Sequence, residues 1–326
     1  MFSTVEDVRK LLSEGKRLVL AADEGLLASL PKGEWIGGTI PYFMTEEGGK
    51  VAKDRLFVDE LPAFVSSIGI KTYDEHELPH IAADSPDNGF SVVILPAFST
   101  VHQKYAQNAP TYDGLFMKSI VGWVSGLHLS DLGNVTPKVF AGPSGESSGV
   151  KAIVMHVGLP KEYRSRISVV NIFEQGSGDE VSFPVEGFQA KECLINGQKA
   201  NLFDYLGEKK IDIKLPLVAD FCGTLVNVSI AGLEEKDKLV KFYAPVFEGV
   251  AYRFAKPVAN YAEEFSMAVP KIPGRPAFAC NCILNFLYGE LEGKKTSVIT
   301  GPMTFGEIAF QLLNQTMVYL EIDKVV

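Results

Sequence analysis

Short apolar segments of strand length recur along this chain, between turns that contain glycine or proline. Arg17 to Ala22 and Ser91 to Phe98 are the clearest examples in the first half. Continuous apolar runs of this length are typical of strands that are buried on both faces. The second half is richer still in such segments, at 152–157, 167–173, 180–185, 217–219, 225–230, 239–247 and 250–254. The chain is therefore predicted to fold around buried sheets.

Helical patterns are fewer. Ser3 and Glu6 fit a capping box in which Ser3 caps the first helix and Glu6 reaches back, and Gly15 ends that helix. Further helical patterns lie at 79–83, 201–206 and 259–267. The paired glycines Gly37 and Gly38, inside an apolar strand, predict a bulge or a close approach of another part of the backbone. Together these patterns predict an α/β fold, with α+β character in the second half.

The segment 142–149 is the clearest loop in the chain, because glycine, proline and serine dominate it. We place a domain boundary there, between an N-terminal α/β domain at 1–145 and a strand-rich C-terminal α/β domain at 146–326. The length of 326 residues fits two domains of about 100–200 residues each. The two mixed-sheet domains are expected to pack intimately.

Charge and composition argue against nucleic acid and membrane partners and indicate a cellular location. The net charge of −9 would repel a polyanion, so nucleic acid is not an expected partner. No apolar run approaches the roughly 18 residues of a membrane helix, and no targeting segment is recognised. Four cysteines in 326 residues are too few for a disulfide scaffold, so a reducing cytoplasm is the predicted location. Self-association into a homo-oligomer is left open.

The sequence His76-Glu77-Leu78-Pro79-His80 matches the zinc-protease motif H-E-x-x-H. That motif requires a helix that carries both imidazoles on one face. Pro79 argues against such a helix, since proline fits best at the first helical position and would leave His76 outside. A pair of surface histidines at a helix start is the favoured interpretation, and no metal site is predicted.

Cys280 and Cys282 lie in an apolar segment close to the C-terminus. Free cysteine usually behaves as a small buried hydrophobic residue, and a catalytic thiol needs a cationic neighbour and a base. Lining of a ligand cleft is therefore favoured over nucleophilic chemistry for these residues. No P-loop and no G-x-G-x-x-G motif is present, so no nucleotide cofactor is predicted.

The C-terminal region resembles the C-terminal half of the FIST sensory domain. The resemblance rests on Cys280-Asn281-Cys282, on Thr304-Phe305-Gly306-Glu307-Ile308 and on Leu313-Asn314-Gln315-Thr316, in that order. The whole chain is also similar to a small bacterial family that shares the segment beginning Trp35-Ile36-Gly37-Gly38. The FIST resemblance implies a ligand-binding sensory domain whose site includes Cys280, Asn281, Gly306, Glu307, Asn314 and Thr316.

These observations predict a cytoplasmic small-molecule-binding or sensory protein. A small polar metabolite, with an amino acid as one candidate, would lie in a cleft between the two halves. Thr39 and Tyr42 would form one wall, and Cys280, Glu307 and Asn314 the other. Gly306 would allow a tight turn, and Glu307 would accept hydrogen bonds from a cationic group. The alternative is a hydrolase that depends on a metal at His76, Glu77 and His80, or on a thiol of Cys280 or Cys282.

Overall fold

The structure, a computed structural model, describes residues 1–221, 223–270, 272 and 274–325. The α-helices of this part of the chain are α1 Val5–Ser13, α2 Glu24–Ala28, α3 His80–Asp84, α4 Thr100–Asn108, α5 Leu202–Lys209, α6 Tyr261–Ala268 and α7 Ile283–Tyr288. The strands are β1 Phe2–Ser3, β2 Leu18–Ala22, β3 Trp35–Thr39, β4 Tyr42–Thr45, β5 Gly48–Val51, β6 Leu56–Glu60, β7 Ser67–Tyr73, β8 Gly89–Pro96, β9 Ile120–Ser125, β10 Val139–Ala141, β11 Glu146–Ser148, β12 Ala152–Gly158, β13 Tyr163–Val170, β14 Val181–Ser182, β15 Gly187–Ala190, β16 Glu192–Ile195, β17 Gln198–Asn201, β18 Leu217–Phe221, β19 Thr224–Val228, β20 Ile230–Glu234, β21 Leu239–Val246, β22 Tyr252–Phe254, β23 Phe278–Cys282, β24 Gly301–Thr304, β25 Glu307–Ala309, β26 Gln311–Leu313 and β27 Met317–Lys324.

Two six-stranded sheets form the centre of the molecule. Sheet I has the strand order β1-β6-β2-β3-β10-β11, and sheet II has the order β26-β25-β9-β8-β12-β7. Both sheets are mixed, because β2 and β3, and likewise β8 and β9, pair in parallel among antiparallel neighbours. Their inner faces share one buried cluster, to which Ile36 and Trp123 belong. Helices α1 and α2 cover the outer face of sheet I, and α3 and α4 that of sheet II.

The contact between these sheets explains the glycine pair in β3. A Cβ atom on Gly38 would lie 2.6 Å from Cη2 of Trp123 and 2.7 Å from Cγ2 of Ile94, both in sheet II. A Cβ atom on Gly37, which faces the other way, would lie 3.0 Å from Cδ2 of Leu27 in α2. The glycines thus allow a close approach on both faces of the strand, but the nearest atoms belong to side chains and not to the backbone that was predicted.

Sheet III has the order β13-β27-β23-β24-β4-β5 and extends the central core. Cys280 and Val318 contribute to the cluster between sheets I and II, whereas Ala279 and Tyr319, on the opposite face, pack against Phe265 of α6. Sheet IV, with the order β17-β16-β14-β22-β18-β19, and the three-stranded sheet V, β15-β21-β20, enclose a separate core together with α5. The strand-rich character predicted for the second half therefore comes largely from sheets IV and V.

The predicted α/β fold class is confirmed, with several mixed sheets. Strand pairing continues across the predicted boundary between residues 145 and 146, because β10 pairs with β11, β12 with β7 and β8, and β25 with β9. Sheet III likewise joins β4 to β24. The segment with its own core is 181–254, and the division at 145 stays a prediction.

The capping box of α1 is one residue later than predicted. Thr4 caps the helix, accepting a hydrogen bond from the backbone N–H of Asp7, whose carboxylate accepts one from the backbone N–H of Thr4. Ser3 cannot take this position, since it belongs to β1 and pairs with Leu56. A pairing partner more than fifty residues away thus decided where the helix begins.

Candidate functional site

The C-terminal residues named by the FIST resemblance come from three neighbouring strands. Cys280 and Asn281 lie in β23, Glu307 begins β25, and Thr316 directly precedes β27. Because β23 pairs with β27, and β25 runs into β27 through β26, the chain brings these residues together at the junction of sheets II and III. They are all buried.

Glu307 is the centre of this group and is fully buried. Its Oε2 atom accepts hydrogen bonds from the hydroxyl group of Thr316 at 2.9 Å and from the backbone N–H of Thr316 at 3.2 Å. The thiol of Cys282 and the hydroxyl of Thr304 also contact the carboxyl group. We call Glu307, Thr316, Thr304 and Cys282 the Glu307 cluster. Burial raises the pKa of Glu307 to about 8, against the smaller lowering effect of these hydrogen bonds.

The contacts of Thr304 are compatible with a protonated carboxyl group on Glu307. The Thr304 hydroxyl oxygen lies 3.2 Å from the carbonyl oxygen of Asn281, 3.1 Å from that of Gly306 and 3.4 Å from Oε1 of Glu307. One hydroxyl hydrogen cannot serve three acceptors. If Glu307 carries a proton, it donates to Thr304, whose own hydrogen then bonds a carbonyl oxygen. Burial therefore favours the neutral acid, and the groups that donate to Glu307 among the described residues are hydroxyl, thiol and backbone N–H groups. The expected hydrogen bond to a cationic group of a ligand stays a prediction.

A second chain of hydrogen bonds leads outward from Asn281. Oδ1 of Asn281 accepts from the backbone N–H of Cys282 at 2.7 Å, so this atom must be an acceptor. Nδ2 of Asn285 therefore donates to it at 2.8 Å, and the hydroxyl of Tyr261 donates to Oδ1 of Asn285. The backbone N–H fixes the direction of the whole chain, because it cannot act as an acceptor.

The cysteines are poorly suited to nucleophilic chemistry. Burial, with Glu307 as the next cause, raises the pKa of both the Cys280 and the Cys282 thiol well above the usual range. Sγ of Cys280 lies 3.3 Å from the carbonyl oxygen of Gly122, to which it donates. Among the described residues, no cation contributes to the pKa of either thiol, so a thiolate would lack the stabilisation that nucleophilic cysteines need. The geometry gives the thiol-hydrolase alternative no support.

Gly306 and Asn314 have structural roles that differ from those expected. Gly306 does not need a left-handed backbone; instead, a Cβ atom there would lie 2.9 Å from Cδ1 of Leu312 and 3.2 Å from Cγ2 of Val124. Asn314 is buried, and its carbonyl oxygen accepts from Nδ2 of Asn227 at 3.1 Å. Its Oδ1 has no hydrogen-bond partner among the described residues.

The hydroxyl groups of Thr39 and Tyr42 bond backbone atoms and not side chains of the Glu307 cluster. The Thr39 hydroxyl donates to the carbonyl oxygen of Gly126, directly after β9 of sheet II, at 2.7 Å. It accepts from the backbone N–H of Lys138, directly before β10 of sheet I, at 2.9 Å. The Tyr42 hydroxyl accepts from the backbone N–H of Leu129 at 3.1 Å. Both hydroxyl groups are satisfied by backbone atoms and hold loops in place.

In the H-E-x-x-H segment, His76 lies outside the helix as predicted, but Pro79 is the N-cap residue and not the first helical residue. Helix α3 begins at His80 with Pro79 as its N-cap residue, so His76 lies outside the helix. Both histidines are exposed, and the Glu77 carboxylate accepts from the backbone N–H of Asp74 at 3.1 Å. Within the described residues, no group of three or more His, Cys, Asp or Glu side chains is arranged to hold a metal ion.

An open cleft of about 350 Å³ lies beside this buried region, between the start of α6 and the end of α7. We call it the α6–α7 cleft, and its lining includes Phe173, Lys214, Tyr261, Tyr288, Glu290 and Gln315. Tyr261 belongs to the chain of hydrogen bonds that ends at Asn281. Gln315 is fully buried, its Oε1 accepting from the Ser229 hydroxyl at 2.6 Å and its Nε2 donating to the Lys214 carbonyl oxygen at 3.2 Å.

Two residues of this cleft have an unusual backbone. Gln315 has a φ of 50° and Glu290 a φ of 48°, in the left-handed region that favours glycine. Such conformations cost free energy and cluster at functional sites. None of the side chains predicted from the sequence as ligand contacts is among the described lining residues, whereas Gln315 and Tyr261 were missed. The spacing of Asn281 and Asn285 in an apolar segment was the one available signal of a buried amide network.

No helix of the described residues is long and apolar enough to cross a membrane.

Comparisons with known proteins give one match. No curated protein and no solved structure matches the chain. The sequence profile of DUF6976, described as a family of unknown function, matches residues 3–323. Because this match covers nearly the whole chain, the protein belongs to the DUF6976 family.

Proposed function

We propose that this protein binds a small polar molecule in the α6–α7 cleft. One observation carries the proposal: Tyr261 and Gln315 line the cleft and are both hydrogen-bonded into the buried interior. An incidental surface depression does not require buried polar side chains beneath it, because burying them costs free energy unless every partner is in place.

The interior network gives a ligand a means of affecting the rest of the fold. Tyr261 connects through Asn285 to Asn281, and Nδ2 of Asn285 also lies 3.4 Å from the carbonyl oxygen of Thr316, whose side chain contacts Glu307. A ligand that moves Tyr261 would alter this chain of bonds. A FIST-like sensory role in the cytoplasm is part of the proposal. The buried free thiols of Cys193, Cys280 and Cys282 fit a reducing compartment.

A thermal-shift screen with a cleft-filling variant tests the proposal. The panel would contain amino acids, small organic acids, amines and polyols, each at millimolar concentration. Ligand binding to the folded state raises the melting temperature, and occupation at 100 times Kd stabilises by about 2.7 kcal/mol. Ala259 is exposed and lines the cleft, so Ala259→Trp should remove the shift.

Ala231→Trp is the matched control, since Ala231 is exposed in β20 and does not line the cleft. This variant should respond to the ligand as the wild-type protein does. The proposal fails if no compound in the panel raises the melting temperature, or if Ala259→Trp and Ala231→Trp respond alike.

A further inference from the structure

Aromatic rings form much of the α6–α7 cleft. Phe173, Tyr261 and Tyr288 all line it, and the ring centroids of Phe173 and Tyr261 are 6.0 Å apart. Burial raises the pKa of Tyr288 to about 12 and that of Tyr261 well above its usual value, so both phenols are neutral at physiological pH. The hydroxyl of Tyr261 is already committed to Asn285. A neutral ring face attracts cations, because the π-electrons make it electronegative.

The side-chain ammonium group of Lys214 already lies over one of these rings. Nζ of Lys214 lies 5.8 Å from the centroid of Tyr288, within the range of a cation–π contact. The backbone of Lys214 is fixed at this position, since its carbonyl oxygen accepts from Gln315 and its N–H donates to Oδ1 of Asp212 at 3.0 Å. The exposed Lys214 side chain itself can turn away into solvent.

The charges around the ring also favour a cation. Asp212 and Glu290 contribute two carboxylates to the cleft, and Lys214 and Lys294 contribute two ammonium groups. When the Lys214 side chain turns away, two carboxylates and one ammonium group remain, a net charge of −1. Nζ of Lys294 is 3.9 Å from Oε2 of Glu290, a loose pair that leaves the carboxylate available.

We propose that the ligand of the α6–α7 cleft is a small organic cation, whose ammonium group replaces that of Lys214 over the ring of Tyr288. This inference rests on the proposed binding function of the cleft and names the class of its ligand. The aromatic faces would hold the carbon atoms next to the ammonium group, while Asp212 and Glu290 would balance its charge.

Isothermal titration calorimetry with choline, putrescine, acetate and succinate tests the ligand class. Lys214→Met removes the competing ammonium group, so choline or putrescine should bind about two- to fivefold more tightly to this variant. Lys191→Met is the matched control, because Lys191 is exposed and lies outside the cleft, and it should leave the affinity unchanged.

Two variants of Tyr288 distinguish the loss of the aromatic ring from a general disturbance of the folded structure. Tyr288→Leu should weaken cation binding by about two- to fivefold, whereas Tyr288→Phe, which keeps the ring, should retain it. Both proteins would first be compared with the wild type by circular dichroism and melting temperature.

The outcomes distinguish this inference from the function on which it rests. If Lys214→Met tightens cation binding and Ala259→Trp abolishes it, both the cation class of the ligand and the binding function of the cleft are supported. Binding of acetate or succinate alone, weakened by Lys214→Met, overturns the cation class and leaves the cleft as a binding site. If none of the four probes binds, the cation class is overturned, and the broader panel with Ala259→Trp decides separately on the binding function.

Discussion

Glu307 and Thr316 are joined by two hydrogen bonds to one carboxyl oxygen, from the backbone N–H at 3.2 Å and from the hydroxyl group at 2.9 Å. Glu307 begins β25 in sheet II, and Thr316 directly precedes β27 in sheet III. The pair therefore connects two sheets at the place where the chain passes from one to the other. A buried carboxyl group in such a position makes the stability of the fold depend on its protonation.

Replacing Glu307 with glutamine should change how stability depends on pH. The pKa of Glu307 is raised from its ordinary value of 4.5 to about 8, so the folded protein keeps a proton that the unfolded chain releases. The stabilising contribution is fully present below about pH 4.5 and is lost as pH rises through about 8. Glu307→Gln should remove this loss, because its amide can donate to Thr304 and accept from Thr316.

Urea unfolding of the wild type and of Glu307→Gln, at several pH values from 5 to 9, measures this difference. The free energy of unfolding of the variant should rise relative to that of the wild type as pH rises, with a limiting slope of about 1.4 kcal/mol per pH unit. Glu292→Gln, at an exposed position, is the control and should follow the wild type. Parallel stability curves for Glu307→Gln and the wild type would contradict a buried neutral carboxyl group.

The two C-terminal cysteines should resist alkylation in the folded protein. Their thiols are buried and have a raised pKa, so iodoacetamide at pH 8 should label Cys280 and Cys282 only after unfolding. Peptide mapping by mass spectrometry, with and without denaturant, measures labelling at each cysteine. Rapid labelling of Cys282 in the folded state would show that the Glu307 cluster opens to solvent.

Gly38 should be the more sensitive of two glycines to alanine substitution. Gly38→Ala places a methyl group against Trp123 and Ile94 between two sheets, and overpacking of this kind typically costs about 1–3 kcal/mol. Gly25→Ala, in α2, meets only Oδ1 of Asp23 at 3.8 Å, so the better helix propensity of alanine should make it neutral or stabilising. Thermal unfolding of both variants measures the difference, and equal losses would argue against the close sheet contact.

Local sequence patterns predicted many of the elements correctly. The apolar run that contains β2, the strand around 91–95, and the helix start after Pro79 all lie where their own residues indicate. The capping box of α1 was placed one residue early, because Ser3 is held in β1 by Leu56 of β6. Helix α7 was missed, since its short apolar segment has the same pattern as a buried strand.

The candidate site was predicted only in part. The resemblance pointed to Cys280, Asn281, Glu307 and Thr316, and these residues do lie together, but hydrogen bonds inside the protein occupy their side chains. The residues that line the neighbouring cleft, such as Tyr261 and Lys214, carry no motif. Five chain segments that are separated in sequence form the cleft, so no local pattern identifies it.

The sequence by itself determined the local elements and the α/β class, because apolar periodicity, proline and capping residues act within a few positions of one another. Only the tertiary structure decided that Glu307 is buried with a raised pKa, and that Tyr261 lines a cleft above the buried Gln315. The physical reason is that burial and hydrogen-bond partners set the charge of a carboxyl group, and both come from residues that the fold brings together.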